Sequence, residues 1–250
     1  MDVLGIDIGG TGIKGAPVNL ETGQLLSKRH RILTPQPATP EAVIETATAL
    51  VKYFNWKGPI GCGFPAVIKQ GVVHTASNID ASWIGVSAEN MMKQATGLPV
   101  TFLNDADAAG LAEMHFGAGK DHKGVVIIVT LGTGIGTSLF INGVLVPNTE
   151  LGHIELEGKD AELAAADSAR TKKELSWKKW GVQVNTYLLA LEALLWPDLI
   201  IIGGGASKKY DRFFPQFTVN TPTVPAQLRN EAGTIGAALA APTVETLGNR

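Results

Sequence analysis

Two stretches decide the fold: Val3-Leu4-Gly5-Ile6-Asp7-Ile8-Gly9-Gly10-Thr11-Gly12 and, about half a chain later, Val125-Val126-Ile127-Ile128-Val129-Thr130-Leu131-Gly132-Thr133-Gly134. Each reads as an apolar strand, spanning 3–8 in the first and 124–130 in the second, that empties into a Gly/Thr turn. In each the chain returns at once as another strand, over 13–18 and over 137–141. The first hairpin continues over 25–32 as a third strand. The second meets Asn142-Gly143, a strong hairpin signal. Helices follow in both halves. Thr39 caps a helix that opens at Pro40, and Val43, Ile44, Ala47, Leu50, Val51 and Phe54 form its apolar stripe. Strands over 59–64 and 99–103, and helices over 87–96 and 106–116, complete the first cycle. The second continues with a mostly helical stretch over 160–196 and a strand over 199–202 that ends in Gly203-Gly204-Gly205. An Ala-rich helix over 231–241 closes the chain. The repeated plan predicts two α/β lobes with a cleft between them. The expected division is 1–103 plus the C-terminal helix, about 231–250, against 104–230.

Composition narrows the function. Of 250 residues, 21 are Lys or Arg and 23 Asp or Glu, a net charge of −2. A protein that coats nucleic acid or an anionic membrane should be basic, so any polyanion must meet a local patch. The single cysteine, Cys62, excludes an internal disulfide framework and a cysteine-cluster metal site. The apolar runs are far too short to span a bilayer, and the N-terminus has no basic or apolar leader region. A soluble cytoplasmic protein without nucleic-acid or membrane partners is expected.

The glycine turns are where chemistry is expected. Gly9, Gly10 and Gly12 let backbone N–H groups approach phosphate oxygens closely; Thr11 adds a hydroxyl and Lys14 a cation. Asp7, at the strand's end, is placed to hold Mg²⁺ through water. The spacing is neither G-x-G-x-x-G nor G-x-x-x-x-G-K-[ST], so the dinucleotide and P-loop readings do not apply. Asn104-Asp105-Ala106-Asp107 opens a helix after a short strand. A carboxylate there can take a proton from a substrate hydroxyl, or one of these residues can simply cap the helix. Glu150, His153 and Glu162 have the donor and acceptor chemistry that sugar hydroxyls require, and they could equally line a solvated turn.

Taken together, Asp7-Ile8-Gly9-Gly10-Thr11 with Lys14, Asn104-Asp105, Leu131-Gly132-Thr133-Gly134 and Glu150-Leu151-Gly152-His153 resemble the ROK family of sugar kinases, of the actin–hexokinase superfamily. Within that family the chain is similar to the polyphosphate-using branch, over Thr34–Glu41, Asn104–Glu113, Glu150–Glu155, Gly158–Glu162, Leu175-Ser176-Trp177 and Pro222–Gly233. The resemblance implies an actin-like ATPase (ribonuclease H-like) fold. It implies phosphoryl transfer from inorganic polyphosphate to the 6-hydroxyl of glucose, with Mg²⁺, in a homodimer; an ATP-dependent hexose kinase is the alternative. Residue by residue, Asp105 becomes the base, and Asn104, Glu150, His153 and Glu162 the sugar-binding set, with Ser77 or Asn78 adding a contact. Gly9, Gly10, Thr11, Lys14, Gly132, Thr133, Gly134, Gly203, Gly204, Gly205 and Lys208 become the phosphate-binding set. Typical members follow the Glu-x-Gly-His segment with a Cys-rich zinc motif. No cysteine occurs here after Cys62, so no structural zinc is expected and His153 is left for sugar. Only six residues precede Asp7, so the DNA-binding segment of the family's repressors is not expected; Asp105 argues against a catalytically silent sugar sensor and Glu150, His153 and Glu162 against an actin-like assembly protein, so an enzyme is expected.

Overall fold

The computed structural model describes residues 1–77 and 79–242. In chain order its first half contains β1 (Asp2–Gly9), β2 (Gly12–Asn19), β3 (His30–Ile32), α1 (Pro40–Tyr53), β4 (Ile60–Phe64), the small pair β5 (Ile68–Lys69) and β6 (Val72–Val73), α2 (Ala88–Thr96), β7 (Val100–Asn104) and α3 (Asp105–Phe116). The second half contains β8 (Val125–Leu131), β9 (Ile135–Ile141), β10 (Val144–Val146), the pair β11 (Glu155–Leu156) and β12 (Lys159–Asp160), α4 (Glu162–Ala165), α5 (Asp167–Lys172), α6 (Trp177–Leu195), β13 (Leu199–Gly203), β14 (Thr223–Pro225) and α7 (Ala232–Leu239). The chain divides into two compact units. One is Met1–Ala112 with the chain from Glu231 onward; the other is Glu113–Asn230. Asn104, where the sequence placed the boundary, lies in the first unit.

Each unit is built on one five-stranded sheet, and the two sheets have the same topology: β3-β2-β1-β4-β7 and β10-β9-β8-β13-β14. In both, three strands run antiparallel and two more join parallel to the first. The repeat seen in two Gly/Thr turns is therefore a repeat of the whole sheet plan.

Within the first unit, β4 reads Ile60-Gly61-Cys62-Gly63-Phe64, large residues alternating with glycine. Alternation sends the two kinds to opposite faces. Ile60, Cys62 and Phe64 join Leu4, Ile6 and Ile8 in a core closed by α1 and α2 through Val43, Ala47, Leu50 and Met92. Burial there pushes the Cys62 thiol pKa far up, so it is an inert core residue. The other face is bare, and α7 lies directly on it. A Cβ on Gly5 would stand 2.0 Å from the Thr234 carbonyl oxygen, one on Gly61 1.7 Å from that of Ala237, and one on Gly236 1.5 Å from that of Ala108. Backbone thus packs on backbone across β1, β4, α3 and α7.

The second unit's core is built on aromatic residues instead. Trp180, Tyr187 and Phe213 are fully buried beneath β8 and β13. The Trp180 indole N–H donates to the carbonyls of Ala165 and Ala166, both at 3.1 Å. Glu113, almost wholly buried, accepts backbone N–H bonds from Ala118 (2.9 Å), Gln227 (3.1 Å) and Leu228 (2.7 Å). It fastens the segment after β14 to the end of α3.

Several expected elements differ. The strand expected over 25–32 pairs only at His30–Ile32, with Leu25 in a lone bridge to Val18. Ser27, Lys28 and Arg29 between them have no apolar side chain to give a core. The stretch over 160–196 breaks into three helices, and Asp160 belongs to a strand, because Glu157 and Gly158 turn with positive φ (53° and 74°) and fold 155–160 into a hairpin. β14 is an edge strand of three residues with no periodicity to betray it. Asn142 and Gly143 do form the expected turn, with φ of 53° and 83°.

The glycine floor makes a direct prediction. Gly61→Ala should lower the unfolding free energy by at least about 2 kcal/mol, since the methyl has no rotamer by which to escape a carbonyl. Urea unfolding of the variant against the parent measures it.

Candidate functional site

In the first unit the turn between β1 and β2 is the two-residue link Gly10-Thr11, closed by the pair Gly9 and Gly12. It is braced from outside: the Thr34 hydroxyl donates to the Gly9 carbonyl at 2.5 Å, and Arg31 donates to the Thr11 carbonyl at 3.1 Å. Asp7 faces Gly233 near the start of α7, where an added Cβ would stand 3.1 Å from the carboxyl carbon. Lys14, the register partner of Asp7, reaches its carboxylate at 3.4 Å.

Asn104 ends β7 and Asp105 begins α3. The Asn104 side-chain oxygen accepts from the N–H groups of Ala106 (2.8 Å) and Asp107 (3.1 Å), and its amide donates to the Ala66 carbonyl (3.2 Å). Asn104 is therefore the helix cap. That leaves the second amide N–H as the most it can offer a sugar. Gly63 faces the same turn, where a Cβ would lie 3.7 Å from the Asp105 Cα.

In the second unit the corresponding turn is one residue longer: Gly132-Thr133-Gly134 links Leu131 to Ile135. Ser168 of α5 holds it, with its N–H on the Gly132 carbonyl (3.0 Å) and its hydroxyl on that of Thr133 (2.6 Å). The Glu162 carboxylate accepts the Ile135 N–H at 2.7 Å and lies where any Cβ on Gly134 would meet it at 2.3 Å. Gly204 adopts φ +77° and presses on Leu131, where a Cβ would meet the backbone N at 2.6 Å. The third glycine turn is thus stacked on the end of β8. Lys208 is exposed on the 3-10 segment Gly205–Arg212 that follows.

Glu150 and His153 flank a 3-10 turn, Leu151–His153, clasped to β9 by Thr137, whose hydroxyl donates to the Thr149 carbonyl and accepts the Leu151 N–H (3.0 Å). Gly152 lets that turn sit on β9, since a Cβ there would be 2.2 Å from the Ile135 carbonyl oxygen. Asp160 then links two expected site residues. One oxygen lies 2.8 Å from His153 Nδ1, and the other accepts the Glu162 N–H at 2.8 Å. With Nδ1 as donor to Asp160, His153 presents Nε2 outward. The Asp160 hydrogen bond raises the His153 pKa, partial burial opposes it, and the charges of Asp160, Glu162 and Glu150 add to the rise. Burial also raises Glu150, with the Glu162 charge adding and His153 opposing.

So the structure gathers Glu150, His153 and Glu162 in one electrostatically coupled group in the second unit, and Asp7, Lys14 and the Gly9–Gly12 turn in the first. Asn78 lies outside the described residues; Ser77 is exposed. Asp160 is the residue that sequence reasoning missed. Its only signal is its place two residues before Glu162, and its role depends on the β11–β12 hairpin.

A model of the ROK family matches residues 3–165. A polyphosphate glucokinase of Mycobacterium tuberculosis (strain CDC 1551 / Oshkosh) is 52% identical over 238 residues, 95% of this chain and 90% of that protein. Among solved structures, an inorganic polyphosphate/ATP-glucomannokinase from Arthrobacter sp. strain KM superposes with a TM-score of 0.91 at 48% identity, covering 95% of this chain and 97% of that one. A ROK family glucokinase from Streptomyces griseus, in complex with glucose and AMPPNP, gives a TM-score of 0.84 at 25% identity over 96% and 99% of the two chains.

The His153–Asp160 pair has a signed pH dependence. A raised imidazole pKa stabilises the fold fully below the ordinary value of about 6.5, and that contribution fades as pH rises through the raised value. In Asp160→Asn the His153 ring should titrate at lower pH, and the melting temperature should lose this component of its pH dependence. An NMR titration of the His153 ring protons reads the shift; equal midpoints in the two proteins would exclude the pairing.

Proposed function

The chain belongs to the ROK family of sugar kinases and has their actin-like ATPase fold, and from that premise we propose that it is a polyphosphate-dependent glucokinase. One observation carries the donor assignment: identity of 52% over 95% of the chain to a polyphosphate glucokinase, against 25% to the AMPPNP-bound glucokinase. ATP as a second donor is supported by the name of the Arthrobacter enzyme, which uses both.

Phosphoryl transfer asks a protein for positioning and charge stabilisation more than for covalent chemistry. We assign Asp105 as the base that takes the proton of the sugar 6-hydroxyl. The support is its place: Asp105 is the first residue of α3, next to the cap Asn104, on the turn that Gly63 faces. Glu150, the Nε2 of His153 and Glu162 are assigned to ring hydroxyls, with the second amide N–H of Asn104 and, from the resemblance alone, Asn78. The turns Gly9-Gly10-Thr11 and Gly132-Thr133-Gly134, Lys14, the Gly203–Gly205 turn and Lys208 are assigned to donor phosphates. Asp7 fits Mg²⁺ held through water: it is one carboxylate beside a phosphate-turn cation, and Mg²⁺ is commonly held by one or two carboxylates, its own waters and substrate phosphates. Such an ion would neutralise charge on the transferring phosphates. The family's zinc motif has no counterpart after Cys62, and no zinc role is assigned. The working form is proposed to be a cytoplasmic homodimer acting on small molecules and polyphosphate, not on nucleic acid or membrane.

A coupled assay with glucose and either polyphosphate or ATP tests the donor: turnover with ATP and none with polyphosphate would overturn the reading. Asp105→Asn keeps shape and should leave the protein folded, while turnover falls at least about a hundredfold. A cap alone is worth about 1 kcal/mol and would leave turnover nearly normal. On the donor side, Lys209 is exposed beside Lys208 on the same segment, and Lys208→Ala with Lys209→Ala should raise the polyphosphate KM more for long chains than for short ones; an unchanged KM at low ionic strength would remove Lys208 from the set.

A further inference from the structure

Asp7, Lys14 and Arg31 stand in one row across the first sheet. Asp7 of β1 is the register partner of Lys14 on β2, and Lys14 is the register partner of Arg31 on β3. Directly opposite residues of an antiparallel pair share a face. One carboxylate and two cations therefore lie side by side on the face where Asp7 meets Gly233. His30 points to the other face, stacked on Tyr53 with centroids 3.9 Å apart and planes at 11°.

Among the described residues the carboxylate pairs with the nearer cation. Lys14 Nζ is 3.4 Å from Asp7 Oδ2. Arg31 is exposed and swings instead over the turn, where its Nη2 donates to the Thr11 carbonyl at 3.1 Å. Its Nε would stand 2.4 Å from any Cβ on Gly12. Like charges directly opposite in a sheet repel. Here that arrangement sits on a two-residue glycine–threonine turn, and an anion bound against the row would relieve it. A guanidinium has five donors in a rigid fork suited to phosphate oxygens, and one carbonyl occupies only part of it. β3 is the edge of the sheet, and Lys28 and Arg29 immediately precede it.

We infer that Arg31 is a donor-binding residue: with Lys14 it forms a two-cation ladder that takes successive phosphates of an inorganic oligophosphate, running from the Gly10-Thr11 turn toward the β3 edge. This rests on the polyphosphate reading above. The competing account is that Arg31 only braces the turn through Thr11.

The test uses the full chain without glucose and measures binding of inorganic triphosphate, and of a long polyphosphate, by calorimetry at low salt. Arg31→Gln should weaken triphosphate binding about tenfold, the size of one charge-assisted hydrogen bond, and weaken the long chain more. Arg31→Lys should fall between. The ligand-free melting temperature should stay within about 2 °C of the parent and the glucose KM should not move. Raising salt toward 1 M, where the screening length is about 3 Å, should bring parent and variant together. Unchanged triphosphate affinity in Arg31→Gln overturns the ladder, and a fall in melting temperature alongside it identifies a brace. The two readings fail separately. If the parent spends polyphosphate and Arg31→Gln does so with the same KM, the ladder falls and the donor assignment stands. If the parent uses ATP alone yet triphosphate binding still drops in the variant, the ladder stands and the donor assignment falls.

Discussion

The first unit depends on backbone lying against backbone. α7 rests on β1 and β4 only because Gly5 and Gly61 offer no side chain, and it crosses α3 only because Gly236 offers none to Ala108. Built Cβ atoms at these places would fall 1.5–2.0 Å from carbonyl oxygens, distances no rotamer change can relieve. The spacing of the four elements is thereby set by covalent geometry, which deforms little, and not by side chains, which do. The site inherits that rigidity. Gly233, on the same helix, stands against Asp7; Gly63, on the same strand, stands against Asp105. Asp105, proposed as the base, and the Gly9–Gly12 turn, proposed to hold phosphate, are thereby held to one stiff sheet and its packed helices.

How much of this was legible in the sequence depends on the range of the interaction. The strands that end in glycine turns were readable because a β-branched run followed by Gly-Thr-Gly is a local signal. The cap at Thr39 and the turn at Asn142-Gly143 were readable for the same reason. Ile60-Gly61-Cys62-Gly63-Phe64 was readable as a buried strand, but not its two unlike faces, because the partner on the glycine face comes from residue 232 onward. The choice at Asn104-Asp105 between cap and base stayed open in the sequence, where both residue types cap well. Hydrogen bonds to Ala106 and Asp107 decide which residue caps. Glu113 and Asp160 were invisible as positioning residues. Each acts on backbone or side chains brought to it by a turn whose conformation no short motif announces.

The two Gly/Thr turns look alike in sequence and are not alike in structure. Gly10-Thr11 is a two-residue link between paired glycines; Gly132-Thr133-Gly134 is a three-residue link between Leu131 and Ile135. Both links keep their strands paired to the last residue, and next to the shorter one the opposed charges Asp7 and Lys14 stand two pairs from the turn. The longer link is held by side chains from elsewhere in its unit, Ser168 and Glu162. One turn carries its charge on its own strands, and the other borrows its anchors from α4 and α5.

That borrowing bears on the chemistry assigned to the second unit. Glu162 accepts the Ile135 N–H at the end of the phosphate-type turn, and its own N–H is held by Asp160, which also holds His153. Turn, carboxylate and imidazole form one connected chain of hydrogen bonds, each partner fixing the next. Typical members of the family, by the resemblance, continue from Glu-x-Gly-His into a Cys-rich zinc motif. This chain runs instead into the β11–β12 hairpin, whose last residue is Asp160. A carboxylate on Nδ1 does for the imidazole what an outer-shell group does at many catalytic histidines: it selects the tautomer, orients the ring and favours its charged form. A protein without cysteines in this region can thus keep a directed His153 with two residues' worth of hairpin geometry, and the orientation of His153 becomes a property of the 155–160 turn.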